Sequence, residues 1–342
     1  MDLRSLQKRK WKRGSHIVIE ERGGTVEAIH HVHAAVVDRS GALIASSGDP
    51  DFVTFTRSSL KPIQAIPILK NGAHTAFGFN RAEIALISGS HSGEPEHIST
   101  VRSILKKAGL DESMLRCGGH EPFHKSSNFA IGGKFTSIHD NCSGKHAGSL
   151  ALTKHMGWDL TTYLRPEHPA QQAVLNAACE LGDMPPASVL VAPDGCSIPN
   201  LAYPIRNLAL QFARLGDPKG LPLEKECALI RDSMMENPYM VAGTDRFDKD
   251  LMEDRPMKIV SKGGAVGLQS LAFEKDGEWL GLAVKVEDGS HLAMTSAVYT
   301  ILGELGMDPG SGKIDRYRVQ SVDTRAKEPV GSVRTFGKLA LN

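Results

Sequence analysis

Hydrophobic and polar positions divide the chain into two outer regions typical of strands and a middle region typical of helices. Short apolar segments bounded by turn residues occur at 17–19, 34–37, 42–44, 257–260, 267–273 and 279–286. Amphipathic stretches with a helical period occupy 94–108, 169–181 and 223–235. Pairing of the outer strands predicts one antiparallel sheet built from both chain termini and flanked by helices. The alternative is a doubly wound parallel sheet, which requires strands and helices to alternate throughout.

The same pattern predicts an α+β protein with a single folded domain. We expect a basic, flexible tail over 1–14 and a domain over 15–342. Within the domain, a sheet lobe is expected from about 15–60 and 255–342, and a helix-rich lobe from about 61–254. The tail carries six lysines and arginines, but no apolar run follows that could form a signal-peptide core or cross a bilayer.

Composition narrows the classes of ligand and compartment. The 342 residues include 40 basic and 39 acidic side chains, so the formal charge of +1 provides no general field for nucleic acid or an anionic membrane. A small neutral or zwitterionic ligand is therefore expected. Five cysteines, an odd number without regular spacing and without an export signal, predict reduced thiols in the cytoplasm.

A serine and a lysine at Ser-x-x-Lys spacing form the first candidate for catalysis. The chain carries this spacing three times: at Ser58–Lys61, at Ser5–Lys8 in the basic tail and at Ser103–Lys106 inside an amphipathic helical stretch. Pro62 follows Lys61, and because proline is tolerated only in the first turn of a helix, a helix must begin near Ser58. The positive end of that helix would favour a developing alkoxide, with Lys61 on the same face. The alternative is a serine cap beside a solvated lysine.

A lysine acts as a base only when it is neutral. Lowering its pKa from about 10.4 by roughly three units costs about 4 kcal/mol, which burial or a second cation must supply. Lys262 is the candidate second lysine, since it ends an apolar strand and precedes Gly263-Gly264, where a substrate can approach the backbone. Ser90 closes the apolar run 84–87, which would place it at the rim of a sheet. A lysine guarding a strand edge and a simple capping loop remain the alternatives.

Two cysteines form the second candidate constellation. Cys142 precedes Lys145 and His146, and Cys196 closes Asp194-Gly195-Cys196 after an apolar run. Two thiolates and one nitrogen would give a zinc site with an open position for water or substrate. Spacing alone favours His146 as the nitrogen ligand, and two unrelated buried thiols are the alternative reading.

Together these segments resemble the rhizobial-type (class 3) L-asparaginases, whose fold is similar to that of serine β-lactamases and glutaminases. The matching segments run in one order from about 17 to about 300: Arg22-Gly23-Gly24 with Glu27 and His30, Arg57 to Pro62, Ser90 to Pro95, Cys117-Gly118, Asn141 to His146, Asp194-Gly195-Cys196, Arg246-Phe247-Asp248 and Lys262 to Ala265. The chain departs from the family at Gly263, where a threonine is usual, and at Val266, where a glutamate is usual.

The resemblance implies a role for each matching position. Ser58 would be the nucleophile in a tandem with Lys61, and Ser90 would form a second tandem with Lys262. The zinc ligands would be Cys142, Lys145 and Cys196, with Lys145 as an unusual amine ligand. The substrate-binding residues would be Arg57, His91, Asp194, His146, Gly263 and Gly264.

The implied activity is hydrolysis of the side-chain amide of L-asparagine through an acyl-serine. The implied form is a homodimer with a zinc ion that anchors the substrate. Two alternatives stay open: a glutaminase or β-lactam or peptide hydrolase with the same serine and lysines, and a zinc-dependent binding protein in which Ser58 only caps a helix.

Overall fold

The computed structural model describes residues 16–253, 258–307 and 312–341. The predicted basic tail, 1–14, lies outside the described residues. The strands are β1 His16–Arg22, β2 Thr25–Asp38, β3 Leu43–Ser47, β4 Val53–Phe55, β5 Leu190–Pro193, β6 Pro199–Pro204, β7 Ile259–Gly264, β8 Leu268–Lys275, β9 Glu278–Val286, β10 Gln320–Asp323, β11 Pro329–Phe336 and β12 Ala340–Leu341.

In the main sheet, strands from the early part of the chain lie between strands from its late part. Its nine strands follow the order β10-β11-β1-β2-β9-β8-β7, with β3 beside β2 and β12 beside β3. All of these pairs are antiparallel. A smaller antiparallel sheet, β4-β6-β5, lies apart from it. The predicted α+β arrangement is confirmed, and within the described ranges the strand pairing excludes the parallel alternative.

Twelve α-helices surround the sheets in the described part of the chain. They are α1 Lys61–Lys70, α2 Ala73–Ala76, α3 Arg81–Ile87, α4 Pro95–Lys107, α5 Lys125–Ala130, α6 Ser143–His155, α7 Pro169–Gly182, α8 Ile205–Gly216, α9 Glu224–Glu236, α10 Pro238–Val241, α11 Phe247–Glu253 and α12 His291–Glu304. Short 3-10 turns lie at Arg57–Leu60, Glu112–Met114, Ser137–His139, Pro186–Ser188 and Lys313–Tyr317. None of these helices has the length and apolar character needed to cross a membrane.

From Ala34 to Val37 the central strand β2 is apolar on both faces because helices cover both. Val32, Ala34 and Val36 pack into the core under α12, and Ala35 and Val37 pack into the core under α8. The approach of α8 to the sheet is close. A Cβ added at Gly281 of β9 would lie 1.9 Å from the carbonyl oxygen of Ala209, so this position requires glycine.

The start of the helix near Ser58 follows the prediction. The 3-10 turn Arg57–Leu60 leads directly into α1, with Pro62 in its first turn. The apolar run before Ser90 differs from the prediction, because it forms helix α3. Asn80 and Glu83 form a capping box at the start of this helix. Ser90 therefore lies in the loop after a helix and not at the end of a strand.

Candidate active site

The 3-10 turn Arg57–Leu60 before α1, the loop after α3, the start of α11 and the end of β7 enclose a cavity of about 170 Å³. Its walls are formed by polar side chains together with a glycine-rich segment of backbone. The lining residues are Ser58, Ser90, Phe123, Asn141, Arg246, Phe247, Asp248, Gly263, Gly264, Ala265, Gln269 and His291.

Ser58 is half-buried and borders both this cavity and a neighbouring one. No side chain in the described ranges forms a hydrogen bond with its hydroxyl. The preceding residue, Arg57, has a φ of 48°, in the left-handed region that non-glycine residues rarely adopt. Strain of this kind is kept where the surrounding structure fixes it, and it turns the chain sharply just before Ser58.

Lys61 pairs with Ser90. The lysine is fully buried, and its Nζ donates to Ser90 Oγ at 2.8 Å and to the carbonyl oxygen of Asn141 at 3.1 Å. The structure shows no such hydrogen bond from Lys61 to Ser58, its predicted tandem partner, within the described residues. Helix α3 packs against α1 and ends shortly before Ser90, which places this hydroxyl at the tip of the lysine side chain.

Lys262 is the second buried amine. Only 1% of its surface is exposed, and its Nζ donates to the carbonyl oxygen of Gly263 at 2.7 Å. Burial lowers the pKa of Lys262 to about 7, with Lys61 and Arg246 acting in the same direction and the carboxylate of Asp248 opposing them. At neutral pH a substantial fraction of this amine is therefore uncharged. No hydrogen bond joins it to Ser90 among the described residues.

Asp248 is held rigidly beside Lys262, at 3.8 Å from Nζ. Its Oδ1 accepts from Ser261 Oγ at 2.6 Å and from Gln269 Nε2 at 2.8 Å, and its Oδ2 accepts from the backbone N–H of Gly263 at 3.0 Å. Burial opposes ionisation, but the charge of Lys262 and these hydrogen bonds hold the pKa of Asp248 below its usual range. The carboxylate is thus satisfied entirely by protein groups.

The predicted zinc ligands lie together at a second cavity of about 350 Å³, with Cys142 and Cys196 in its lining and Lys145 behind its wall. Lys145 Nζ donates to Cys196 Sγ at 3.1 Å, and the thiol of Cys142 donates to Asn141 Oδ1 at 3.2 Å and lies within hydrogen-bonding reach of the same sulfur. The hydrogen bond from Cys142, together with the ammonium of Lys145, lowers the pKa of Cys196 to about 5. The same hydrogen bond and burial raise the pKa of Cys142 to about 11. The thiolate form is therefore favoured at Cys196 and the thiol form at Cys142.

The remaining predicted binding residues differ in their access to solvent. Arg57 and Asp194 line the second cavity and pair through Arg57 Nε and Asp194 Oδ1 at 2.7 Å. His91 and His146 are completely buried. His91 Nε2 bonds to Ser143 Oγ at 2.8 Å, and His146 Nδ1 bonds to the hydroxyl of Tyr163 at 2.8 Å. Neither histidine reaches either cavity.

His146 keeps one unused ligand atom. Burial and Lys145 lower the pKa of His146 to about 3, so the imidazole is neutral, and its Nε2 has no hydrogen-bond partner in the described part of the chain. No cluster of three or more histidine, cysteine, aspartate or glutamate residues arranged as a metal site occurs in the described ranges. The predicted zinc ligands include a lysine, which is not one of these residue types, so this absence does not test them.

The structure thus brings the predicted site residues into one region, where they fall into three groups. Ser58, Ser90, Gly263 and Gly264 line the first cavity; Arg57, Ser58, Cys142, Asp194 and Cys196 line the second; Lys61, Lys145, Lys262, His91 and His146 lie behind the walls.

Several residues that line the first cavity had no role predicted from the sequence. Arg246, Asp248, Phe123, Asn141 and Gln269 all border the first cavity. Arg246 and Asp248 lie in a segment that carries the family resemblance, which was the available signal. Gln269 lies on β8 in an ordinary strand pattern, and nothing in the sequence marks it.

A buried lysine amine bonded to a serine hydroxyl at a cavity wall is a combination typical of acyl-transfer enzymes. Residues 18–335 match the model of the L-asparaginase II family, and the chain belongs to that family. The match confirms the asparaginase resemblance seen in the sequence. It indicates an amidohydrolase of the asparaginase type with a small-molecule substrate.

Several solved structures are similar to this one. A β-lactamase from Sphaerobacter thermophilus is 13% identical, with 84% of this chain and 90% of that chain covered, at a TM-score of 0.41. A β-lactamase from Burkholderia ambifaria is 15% identical over 83% and 96% of the two chains, at a TM-score of 0.40. Mglu in its native form is 12% identical, with 82% of this chain and 65% of that chain covered, at a TM-score of 0.36. At these values the similarity carries no conclusion about the reaction. No curated protein matches the chain.

Proposed function

We propose that this protein is an L-asparaginase that hydrolyses the side-chain amide of L-asparagine to L-aspartate and ammonia through an acyl-serine intermediate. The observation that carries the proposal is the arrangement of four groups in a chain of the L-asparaginase II family. Ser58 and Ser90 border one cavity, and the amines of Lys61 and Lys262 lie directly behind its wall.

Ser58 is the proposed nucleophile because its hydroxyl has no protein hydrogen bond in the described ranges and lies where the two cavities meet. Its oxygen attacks the amide carbon, and its proton passes to a neutral lysine amine. The carbon–nitrogen bond then breaks, and the leaving nitrogen takes up that proton and departs as ammonia. Water hydrolyses the ester in the second half of the reaction and regenerates the hydroxyl.

Lys262 is the proposed base, since its lowered pKa makes the neutral amine available near pH 7. The hydrogen-bonded pair of Ser90 and Lys61 is the proposed route for protons between the amines and the leaving group. The N–H of Gly263 is occupied by Asp248 and that of Ser59 by the carbonyl oxygen of Thr56, so the backbone N–H of Ser58 is the proposed donor for the oxyanion.

Replacing the two serines tests the assignment. Ser58→Ala should lower kcat by about 10⁴-fold or more, whereas Ser90→Ala should lower it by about 10²- to 10³-fold because only proton transfer is impaired. Ser103→Ala is the matched control, since Ser103 shares the Ser-x-x-Lys spacing but bonds to Glu83 away from the site. Mass spectrometry of quenched enzyme should find the acyl group on Ser58.

Other outcomes would change the conclusion. An acyl group on Ser90, with turnover retained in Ser58→Ala, would reverse the roles of the two serines. Higher kcat/KM for L-glutamine or nitrocefin than for L-asparagine would favour the glutaminase or β-lactam hydrolase alternatives. A folded, zinc-loaded protein that releases no ammonia from any of them would favour a binding protein.

We also propose a zinc site formed by Cys142, Lys145 and Cys196. The support is the chemistry of the donors: two sulfurs and one amine converge, all at least nine-tenths buried, beside a cavity that leaves room for a further ligand. The contact between Lys145 Nζ and Cys196 Sγ favours Lys145 over His146 as the nitrogen ligand. A zinc ion bound there would supply a Lewis acid that anchors a substrate oxygen or carboxylate.

Metal analysis tests the zinc proposal directly. Protein loaded with zinc and then dialysed should hold about one ion per chain, and Cys196→Ala should hold almost none. Cys179→Ala is the control because Cys179 is a buried thiol on α7, away from the cavity. Equal zinc in all three proteins would contradict the assignment. Ammonia release by the zinc-free enzyme then shows whether turnover requires the metal.

Finally, we propose a cytoplasmic homodimer. The support comes from the sequence: the family resemblance and a set of five cysteines that are all free in the structure. Sedimentation of the purified protein tests the oligomeric state, and a monomer at micromolar concentration would contradict it.

A further inference from the structure

We infer that Arg246 binds the α-carboxylate of the substrate and thereby restricts the enzyme to free amino acids. The inference rests on the proposed hydrolysis of L-asparagine and adds to it the group that recognises the non-reacting end of the substrate. Arg246 precedes helix α11 and is half-buried at the wall of the cavity that contains Ser58 and Ser90.

The guanidinium of Arg246 is nearly unused by the protein. A guanidinium carries five N–H donors, and the structure shows one hydrogen bond, from Nη1 to Ser92 Oγ at 3.3 Å. No carboxylate in residues 16–253, 258–307 or 312–341 forms an ion pair with Arg246. A cation removed from bulk water without a counter-ion is costly, which indicates that a ligand completes the site.

The position of this guanidinium is fixed before a ligand binds. Its central carbon lies 5.0 Å from the centre of the Phe123 ring, within the range of a cation–π contact. Phe123 in turn stacks on His120 with ring centres 4.7 Å apart. This stack, together with the hydrogen bond to Ser92, orients the planar fork of donors, and a fork of that shape matches both oxygens of a carboxylate.

The other charged groups of the cavity leave Arg246 as the available cation. Asp248 is satisfied by Ser261, Gln269 and the backbone of Gly263, and it also faces Lys262. Arg57 borders the neighbouring cavity, but its charge is balanced by Asp194 at 2.7 Å. A substrate carboxylate therefore meets a guanidinium that has no ion-pair partner within the described residues and that Asp248 and Glu94 influence only at longer range.

The experiment compares two substrates that differ only in the α-carboxylate. β-Alaninamide is asparagine with that carboxylate replaced by hydrogen. The ratio of kcat/KM for L-asparagine to that for β-alaninamide should be about 100 or more in the wild type and fall to within about threefold of one in Arg246→Met. Arg246→Lys keeps the charge but loses the fork, so an intermediate ratio is expected. Arg102→Met, at an exposed position on α4, is the matched control.

A second measurement does not depend on turnover. Calorimetry compares binding of L-aspartate with binding of β-alanine, which lacks the α-carboxylate. The wild type should favour L-aspartate by about 100-fold, and Arg246→Met should lose that preference. If no ammonia is released but this preference is found, the proposed hydrolysis fails and the inference about Arg246 stands.

Three results would overturn the inference. In Arg246→Met, equal losses on both substrates would leave the ratio unchanged and show a structural role. Collapse of the ratio in Arg57→Met but not in Arg246→Met would transfer carboxylate recognition to Arg57. Absence of any preference for L-aspartate over β-alanine in the wild type would show that this site does not recognise the α-carboxylate.

Discussion

Replacing Asp248 by asparagine should move the acidic limb of the pH profile of asparagine hydrolysis to lower pH. The proposed base, Lys262, acts in its neutral form, so kcat/KM in the wild type should rise with pH through about 7, the lowered pKa of this lysine. The carboxylate of Asp248 favours the charged amine and opposes this lowering. Removing its charge lowers the pKa of Lys262 further, and activity then persists at lower pH.

The distance between the groups sets the magnitude. Unit charges 3.8 Å apart interact by about 4 kcal/mol at an effective dielectric constant of about 20, equivalent to about three pKa units. Lys61, Arg246 and Cys142 also act on Lys262 and are unchanged in the variant. Because the local structure relaxes when the charge is removed, we expect a measured shift of at least about one unit.

The assay is ammonia release under kcat/KM conditions between pH 5 and pH 9, with roughly half-unit steps in buffers of constant ionic strength. Asparagine offers one acceptor oxygen where Asp248 offers two, so the variant should also lose about 1–3 kcal/mol of stability, and its folding is checked at each pH. Asp250→Asn is the control, since Asp250 lies on the same helix but pairs with Arg316 and Tyr317. An acidic limb unchanged in Asp248→Asn would refute Lys262 as the base.

Two further predictions concern stability. Val266 is β-branched and has a φ of 62°, so Val266→Asn should stabilise the protein by about 1 kcal/mol in urea unfolding, while Val319→Asn, at a similarly exposed valine with ordinary φ, should not. Equal effects of the two would contradict the strain. Gly281→Ala should lower the free energy of unfolding by about 3 kcal/mol or more, because the added Cβ would overlap a backbone oxygen. The control is Gly303→Ala, in open space on α12, which should be neutral or stabilising by up to about 1 kcal/mol. A mild effect at Gly281 would show that α8 can move away from the sheet.

Apolar segments were sufficient to predict β1 to β3 and β7 to β9 of the main sheet, but not β10 to β12. Strands such as β9 carry continuous apolar runs bounded by turn residues, and those runs appear directly in the sequence. The segment 84–87 was wrongly expected to lead to the rim of a sheet, because four apolar residues fit a buried strand and a buried helix equally well. The distinguishing feature was upstream, in the Asn80 and Glu83 capping box.

The sequence predicted which residues would lie near the cavities but not how they pair. Ser58 and Lys61 were selected because Pro62 indicates the start of a helix. Which hydroxyl the lysine reaches depends on how α3 packs against α1, and local spacing contains no information about that contact. Arg246 was given no role in the sequence analysis for a related reason. Whether a guanidinium has a counter-ion depends on side chains far apart in sequence.

The order of strands in the main sheet constrains how the protein is made. Ile17 pairs with Phe336 on one side and with His31 on the other, so β1 keeps one edge unpaired until β11 has left the ribosome. Contacts this distant in sequence form slowly, and an exposed strand edge invites pairing with other chains in the meantime. Synthesis of this protein in cells should therefore be sensitive to the supply of chaperones that shield nascent strands.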